Sequence, residues 1–345
     1  MRNLRKIIRK FPRARILVLG DLILDEYIWG NVQRISPEAP VPVVWAKKRS
    51  YVLGGAANVA NNIRGLGAGV SVCGVAGKDK NAEILLSELK KQGIRREGVL
   101  LVNKRHTTVK TRIIAGHQQV VRLDWEHTEP LTDRINARLY DYIYNNIGKF
   151  HAIIIEDYGK GVINRWLTKR VIELARQRGK IITVDPKEEH FQYYAGTTCI
   201  TPNRKEAESA VRYLKMQDTT NAFKVNTDRL LSNKDLNRAG RELSKYLKLN
   251  TLLITLGEEG MRLFEGSRIT HIPTQAQEVF DVSGAGDTVI AAFTLSLSCG
   301  ATKLEAAHIA NFAAGIVVSK IGTATVSREE LLKSIKARDI WKQSE

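Results

Sequence analysis

Seven residues near the end of the chain, Asp281-Val282-Ser283-Gly284-Ala285-Gly286-Asp287, have types and spacing suited to phosphoryl transfer. They lie between an extended run, His271 to Phe280, and a helix-compatible run, Thr288 to Ser298, that Gly300 closes. Two glycines one residue apart at a helix start let the backbone come close to a ligand and turn its N–H groups toward an anion. A carboxylate in such a nest repels phosphate, so Asp287 suits removal of a proton from a second substrate. Taken alone, the residues also describe an ordinary turn whose Asp complements the helix dipole.

The elements that must position this loop are legible. Arg15 to Gly20 is a short β-branched and Leu run ending in Gly-Asp, as buried parallel strands do, and it leaves Asp21 and Asp25 at the carboxyl edge of a sheet. Gly54-Gly55-Ala56-Ala57-Asn58 opens a small-residue helix reaching about Leu66. Strands at Val70 to Val75, Val99 to Val102, Ala152 to Ile155, Ile181 to Val184 and Thr251 to Leu256 alternate with helices at about Asp79 to Gln92, Asn164 to Arg178 and after Pro202. Such alternation predicts an α/β fold, a mainly parallel sheet with helices on both faces. The Pro-rich stretch Arg34 to Val44 suits an edge strand or lid, and Thr107 to Leu123 suits a hairpin, so a small β lid is expected over about 25–50 and 105–124. Residues 217–238, polar and poor in large apolar side chains, are expected to form a surface excursion between two helices.

Composition narrows the function classes. The 345 residues, 43% hydrophobic and 26% charged, have ample length for a large core, and are expected to form a single domain over 1–345. Cys73, Cys199 and Cys299 are far apart and lack metal-ligand spacing, as suits a reducing compartment. The apolar run Ile16 to Leu19 is too short for a signal peptide or membrane span, so the expected location is the cytoplasm, with no membrane partner. The net charge of +18 is scattered without a basic stripe interleaved with aromatics, so no nucleic-acid partner is expected. Nucleotide fingerprints fail as well: Gly77-Lys78 is followed by Asp79, and Val72 stands where a Walker-type loop needs its first Gly.

In this order, Gly54-Gly55-Ala56-Ala57-Asn58 and Asp281 to Asp287 resemble the ribokinase-like (PfkB) carbohydrate kinases. Arg34 to Val43, Gln118-Gln119, Arg122-Leu123-Asp124, Asp157 to Gly161, Asp185-Pro186-Lys187, Thr201-Pro202-Asn203 with Glu206, and Pro273 to Val279 are similar to one branch. That branch is the D-glycero-β-D-manno-heptose-7-phosphate kinases of lipopolysaccharide heptose synthesis. Many of these are fused to a C-terminal nucleotidyltransferase with a His-x-Gly-His motif, which this sequence lacks, so the chain resembles the kinase part or its stand-alone form.

The resemblance implies transfer of the ATP γ-phosphoryl group to the anomeric hydroxyl of the heptose 7-phosphate. Asp287 would be the base, and the amides of Gly284, Ala285 and Gly286 an anion hole. Asn203, Arg204, Lys205, Glu206, Thr255, Gly257, Gly260, Asn311 and Ala314 would bind ATP. Asn203 and Glu206 would also organise Mg²⁺ through water, although the pair reads equally as a helix cap. Asp21, Asp25, Gly54, Gly55 and Asn58 would meet the sugar, with strand-end turn chemistry as the alternative for the two Asp residues. Arg34, Arg112, Lys160 and Lys187 are the candidates for the 7-phosphate. The segments around Asp281 and Ile321 to Ala324 resemble loops that hold a monovalent cation such as K⁺, and relatives often dimerise through the lid. A kinase for another sugar, or a basic binding protein without catalysis, are the other readings.

Overall fold

A computed structural model describes residues 2–218, 223–225, 229–276, 278–320 and 322–341. Gln277, Ile321 and parts of the 217–238 excursion, all named above, lie outside the described residues.

Nine strands form the main sheet. In spatial order they are β13 (Arg268–Ile272), β12 (Met261–Glu265), β11 (Leu252–Thr255), β10 (Cys199–Ile200), β9 (Ile181–Asp185), β8 (Ala152–Glu156), β1 (Arg15–Gly20), β4 (Gly69–Gly77) and β5 (Arg95–Val102). The pairs from β11 through β5 are parallel; β11–β12 and β12–β13 are antiparallel. Alternation along a strand assigns its residues to two cores. Ile16 and Val18 of β1, with Ala152 and Ile154 of β8, face one core; Leu17, Leu19, Ile153 and Ile155 face the other.

The first core is covered by α1 (Arg2–Arg9), α2 (Ala56–Gly65), α3 (Lys80–Lys91), α8 (Ala285–Ser298), α9 (Lys303–Val317) and α10 (Arg328–Trp341). The second is covered by α4 (Asp133–Asn146), α5 (Arg165–Gln177), α6 (Arg204–Gln217) and α7 (Asn233–Tyr246). Helix α8 is buried from Asp287 through Ser296. A helix apolar on all sides belongs in the interior, and burying each of its large side chains, such as Phe293, contributes about 1.5–3 kcal/mol.

The lid is a four-stranded sheet ordered β3 (Pro42–Gly55), β2 (Leu22–Ile35), β6 (Thr108–Ala115), β7 (Gln118–Trp125). β2 and β6 pair in parallel, the outer pairs antiparallel. The Pro-rich stretch is the tip of the β2–β3 hairpin, residues 36–41.

The excursion differs from expectation. Its described residues Phe223, Val225, Leu230 and Leu236 are buried in the second core, and its end is the first turns of α7. Four apolar residues in a polar run anchor it: Phe223 meets Tyr246 of α7 edge-on, and the Leu230 N–H donates to Glu208 of α6 at 2.8 Å.

Candidate active site

The loop 281–287 lies where the carboxyl ends of β1, β8 and β9 face the N-termini of α2 and α8, the crevice in which open α/β sheets bind ligands. Gly284 caps α8 with φ +76°, in the left-handed region, and a Cβ there would come within 3.0 Å of Nδ2 of Asn58. The helix therefore begins at Ala285, three residues before the run expected for it, and its first-turn N–H groups open on the crevice.

Asp287 is buried in that first turn. Its Oδ2 accepts from Nδ2 of Asn58 at 2.5 Å and its Oδ1 from the Tyr158 hydroxyl at 3.2 Å. Asn62 donates to the Asn58 carbonyl at 3.0 Å and accepts from the Thr288 hydroxyl at 2.8 Å, which closes a buried ring of hydrogen bonds between α2 and α8. Burial raises the Asp287 carboxyl to about 6, against the pull of the Asn58 and Tyr158 hydrogen bonds. At neutral pH it is ionised and ready to accept a proton.

Two further carboxyls meet it. Oxygens of Glu156, Asp185 and Asp287 all lie within 4.8 Å of one another. Glu156, the last residue of β8, is fully buried, and among the described residues no donor reaches either of its oxygens. Burial first, then the charge of Asp185, raises it well above the usual range; Asp185 is raised too, by burial and by the charges of Glu206 and Asp287. Both shifts have one cause: buried carboxyls crowded together disfavour the charged form. Unpartnered buried oxygens beside two more carboxyls fit a hard divalent cation, which takes oxygen ligands.

Beside the loop lies a cavity of about 430 Å³ lined by Thr255, Gly257, Gly260, Asn311 and Ala314 together with Ala285 and Gly286 of the loop. Its wall is mostly apolar, through Met261, Val279, Val282, Val289 and Val318. A flat, largely apolar group fits there with its polar end at the α8 N-terminus.

The profile of the pfkB family carbohydrate kinases matches residues 13–330. The chain belongs to the PfkB family of carbohydrate kinases. It is a sugar kinase, similar to the bifunctional protein HldE of Pelobacter propionicus (42% identity over 97% of this chain and 66% of that one). It is also similar to the bifunctional protein HldE of Helicobacter pylori (44% over 92% of this chain and 65% of that one). It thus spans about two thirds of the length of these relatives. In fold it matches Arabidopsis thaliana ribokinase complexed with ribose and ATP (TM-score 0.71, 19% identity, 94% of this chain and 99% of that one). It matches Escherichia coli phosphofructokinase-2 in complex with potassium equally well (TM-score 0.74, 19% identity, 94% and 99%).

Within this PfkB kinase the remaining expected residues divide. Asn203 and Glu206 form the reciprocal capping box of α6: Asn203 Oδ1 accepts from the Glu206 N–H at 2.9 Å, and Glu206 Oε2 from the Asn203 N–H at 2.8 Å. Asn203 also bridges Thr255. Arg204 turns to Glu259 at 2.5 Å, and Lys205 is exposed; neither lines the cavity at the loop. Asp25 accepts from Arg112 at 2.5 Å, and a Cβ on Gly54 would lie 2.4 Å from Asp25 Oδ2, so this glycine makes room for the carboxylate. Asp21 is buried against protein partners: its oxygens accept from the N–H groups of Tyr158 at 2.9 Å, Lys160 at 3.0 Å and Val162 at 3.2 Å. Burial and the charge of Asp157 raise it to about 6 against those three donors. Lys160 pairs with Glu126 at 2.8 Å and Lys187 with Glu188 at 2.8 Å, both beside a 410 Å³ cavity that also meets Tyr158, His190 and Tyr193. Arg34 is exposed at the end of β2. Asp281 accepts from the N–H groups of Ser283 at 2.9 Å and Gly322 at 3.1 Å.

Glu156 was not singled out from the sequence, and Tyr158 and Asp185 entered only as members of branch-like segments, with no role of their own. The available signal for Glu156 was a lone charge closing the apolar run Ala152 to Ile155.

Among the described residues, no helix is long and apolar enough to cross a membrane.

Proposed function

We propose that the protein transfers the γ-phosphoryl group of ATP to the C1 hydroxyl of D-glycero-β-D-manno-heptose 7-phosphate, giving the 1,7-bisphosphate. The observation that carries the reading is the buried Asp287 held by Asn58 and Tyr158 beside the N–H groups that open α8. The branch-like segments named above support the choice of sugar.

In this mechanism the adenine and ribose occupy the cavity of Thr255, Gly257, Gly260, Asn311 and Ala314, and the phosphates run toward Gly284, Ala285 and Gly286. Those amides stabilise charge on the transferred group, as positioned donors do in a water-poor site. Asp287 takes the proton of the attacking hydroxyl, and Tyr158 and Asn58 hold its two oxygens in place. Asp25, with Arg112 fixed to it, and the glycines Gly54 and Gly55 form the sugar side. Asp21 positions the 158–162 loop in place of touching the sugar.

Mg²⁺ would be held by Glu156 and Asp185, with Asn203 and Glu206 reaching it through water; when bound it neutralises phosphate charge. No step is assigned to a monovalent cation at Asp281. We also propose one kinase domain working in the cytoplasm as a homodimer joined through the lid, whose exposed Ile35, Trp45, Leu123 and Trp125 suit a buried interface.

The test is ADP release with Mg-ATP and a panel of heptose 7-phosphate, unphosphorylated heptose, sedoheptulose 7-phosphate, fructose 6-phosphate and ribose. Release with the heptose 7-phosphate, and little with the free heptose, supports the reading. Faster release with another sugar moves the substrate and leaves Asp287 its role.

A further inference from the structure

We propose that a second cavity, at the opposite edge of the main sheet from Asp287, is a binding site for the phosphate of a small anionic metabolite. It has a volume of about 480 Å³. Its floor is the start of three parallel strands: Arg15 opens β1 opposite Gly69 of β4, and Arg95 opens β5 opposite Ser71. The end of α4 and the residues after it supply Tyr142, Asn146, Lys149 and Phe150 as a wall. The run of β1 separates this floor from the catalytic crevice by roughly 16 Å.

Charge is the feature that distinguishes this cavity. Four cations, Arg15, Arg64, Arg95 and Lys149, line the cavity against a single carboxylate, Glu97. Arg64 is built in: its Nε donates to the Gln92 carbonyl at 3.3 Å and its Nη1 to the Ala68 carbonyl at 2.9 Å. Gly93, at φ +67°, leaves its Nη2 the space that a Cβ would enter at 3.3 Å. Lys149 is held by the Asn146 side chain at 2.7 Å. Among the described residues, the side chains of Arg15 and Arg95 meet no hydrogen-bond acceptor and no carboxylate. Arg15, Arg95 and Lys149 are exposed to solvent at the cavity, so an anion can reach them, and their excess over the carboxylate favours it. Forked guanidinium donors match phosphate oxygens in pairs, and the volume suits a ligand of metabolite size. The proposal is independent of which sugar the kinase uses.

The test is calorimetric titration with inorganic phosphate of the wild type, Arg15→Gln/Arg95→Gln and Lys149→Gln, each checked for native circular dichroism and for Mg-ATP turnover. Phosphate held in the crevice is common to all three proteins, so the difference between them reports the second cavity. The double variant is expected to bind at least about tenfold more weakly, or one phosphate fewer per chain, with turnover retained; Lys149→Gln is expected in between. Superimposable isotherms for the three proteins overturn the proposal. If the double variant does not fold, Arg95→Gln alone and Lys149→Gln carry the same comparison.

Discussion

Nδ2 of Asn58 lies 2.5 Å from Oδ2 of Asp287, so the first turn of α2 and the first turn of α8, 229 residues apart in sequence, share one hydrogen bond at the catalytic carboxylate. The rate and the pH dependence of the reaction should both be sensitive to that contact.

Replacing Asp287 by Asn should lower kcat by about 10² to 10⁴, the usual effect of a lost general base, with ATP affinity nearly unchanged. In the wild type the rate should rise as the pH passes through about 6, where the carboxyl ionises. Steady-state kinetics with direct ATP titration separates the two effects, and near-wild-type kcat removes Asp287 from the role.

The same variant should be more stable than the wild type at pH 7. The folded-state value of about 6 lies above the ordinary 3.8, so this carboxyl favours the native state fully below pH 3.8 and loses that contribution as the pH rises through about 6. The difference is on the order of 2–3 kcal/mol. Urea unfolding at pH 4 and pH 7 reads it; equal stability at pH 7 would mean that burial does not strain the ionised form.

Asn58→Ala removes a donor that favours the ionised carboxylate, so the acid limb of the pH–rate profile should move to higher pH, above about 6. An unshifted limb with only a reduced maximum would assign Asn58 to substrate contact.

For Asp21→Ala we expect a loss of about 1–3 kcal/mol in denaturant unfolding at pH 4, since three buried or part-buried N–H groups lose their acceptor at once, and a smaller loss at pH 7, where removing a carboxyl raised to about 6 offsets part of it. Activity should fall with it, because Tyr158 and its bond to Asp287 ride on the same loop. A stable variant with only a raised KM for the sugar would return Asp21 to direct binding.

Trp45→Glu with Trp125→Glu should shift the protein from dimer to monomer in sedimentation velocity, without loss of helical signal. Both side chains are more than half exposed on the lid, at 63% and 60%. Unchanged sedimentation would place any interface elsewhere.

Much of this was legible in the sequence. Short apolar strands such as Arg15 to Gly20 and the small-residue helix after Gly55 are local signals found where they were expected, while Ala285 and Gly286 of the Gly-Ala-Gly segment already belong to α8. The Glu156–Asp185 pair was not legible, because it arises only when β8 and β9 lie side by side in register, Glu156 against Asp185. Asp21 shows the same limit: a strand-end carboxylate reads as ligand-facing in sequence, and only the folded 158–162 loop reveals that three backbone N–H groups also bind its oxygens. Residues 223–230 misled because their polar composition hid three apolar anchors.

A single residue, Asp21, separates β1 of the main sheet from β2 of the lid. Its carbonyl accepts from the Ala56 N–H that begins α2, and its carboxylate gathers the 158–162 loop. The lid is thus rooted in a crank. A fourteen-residue strand reaches roughly 46 Å from that root, so the lid, the loop that carries Tyr158 and the helix that carries Asn58 all meet at one residue.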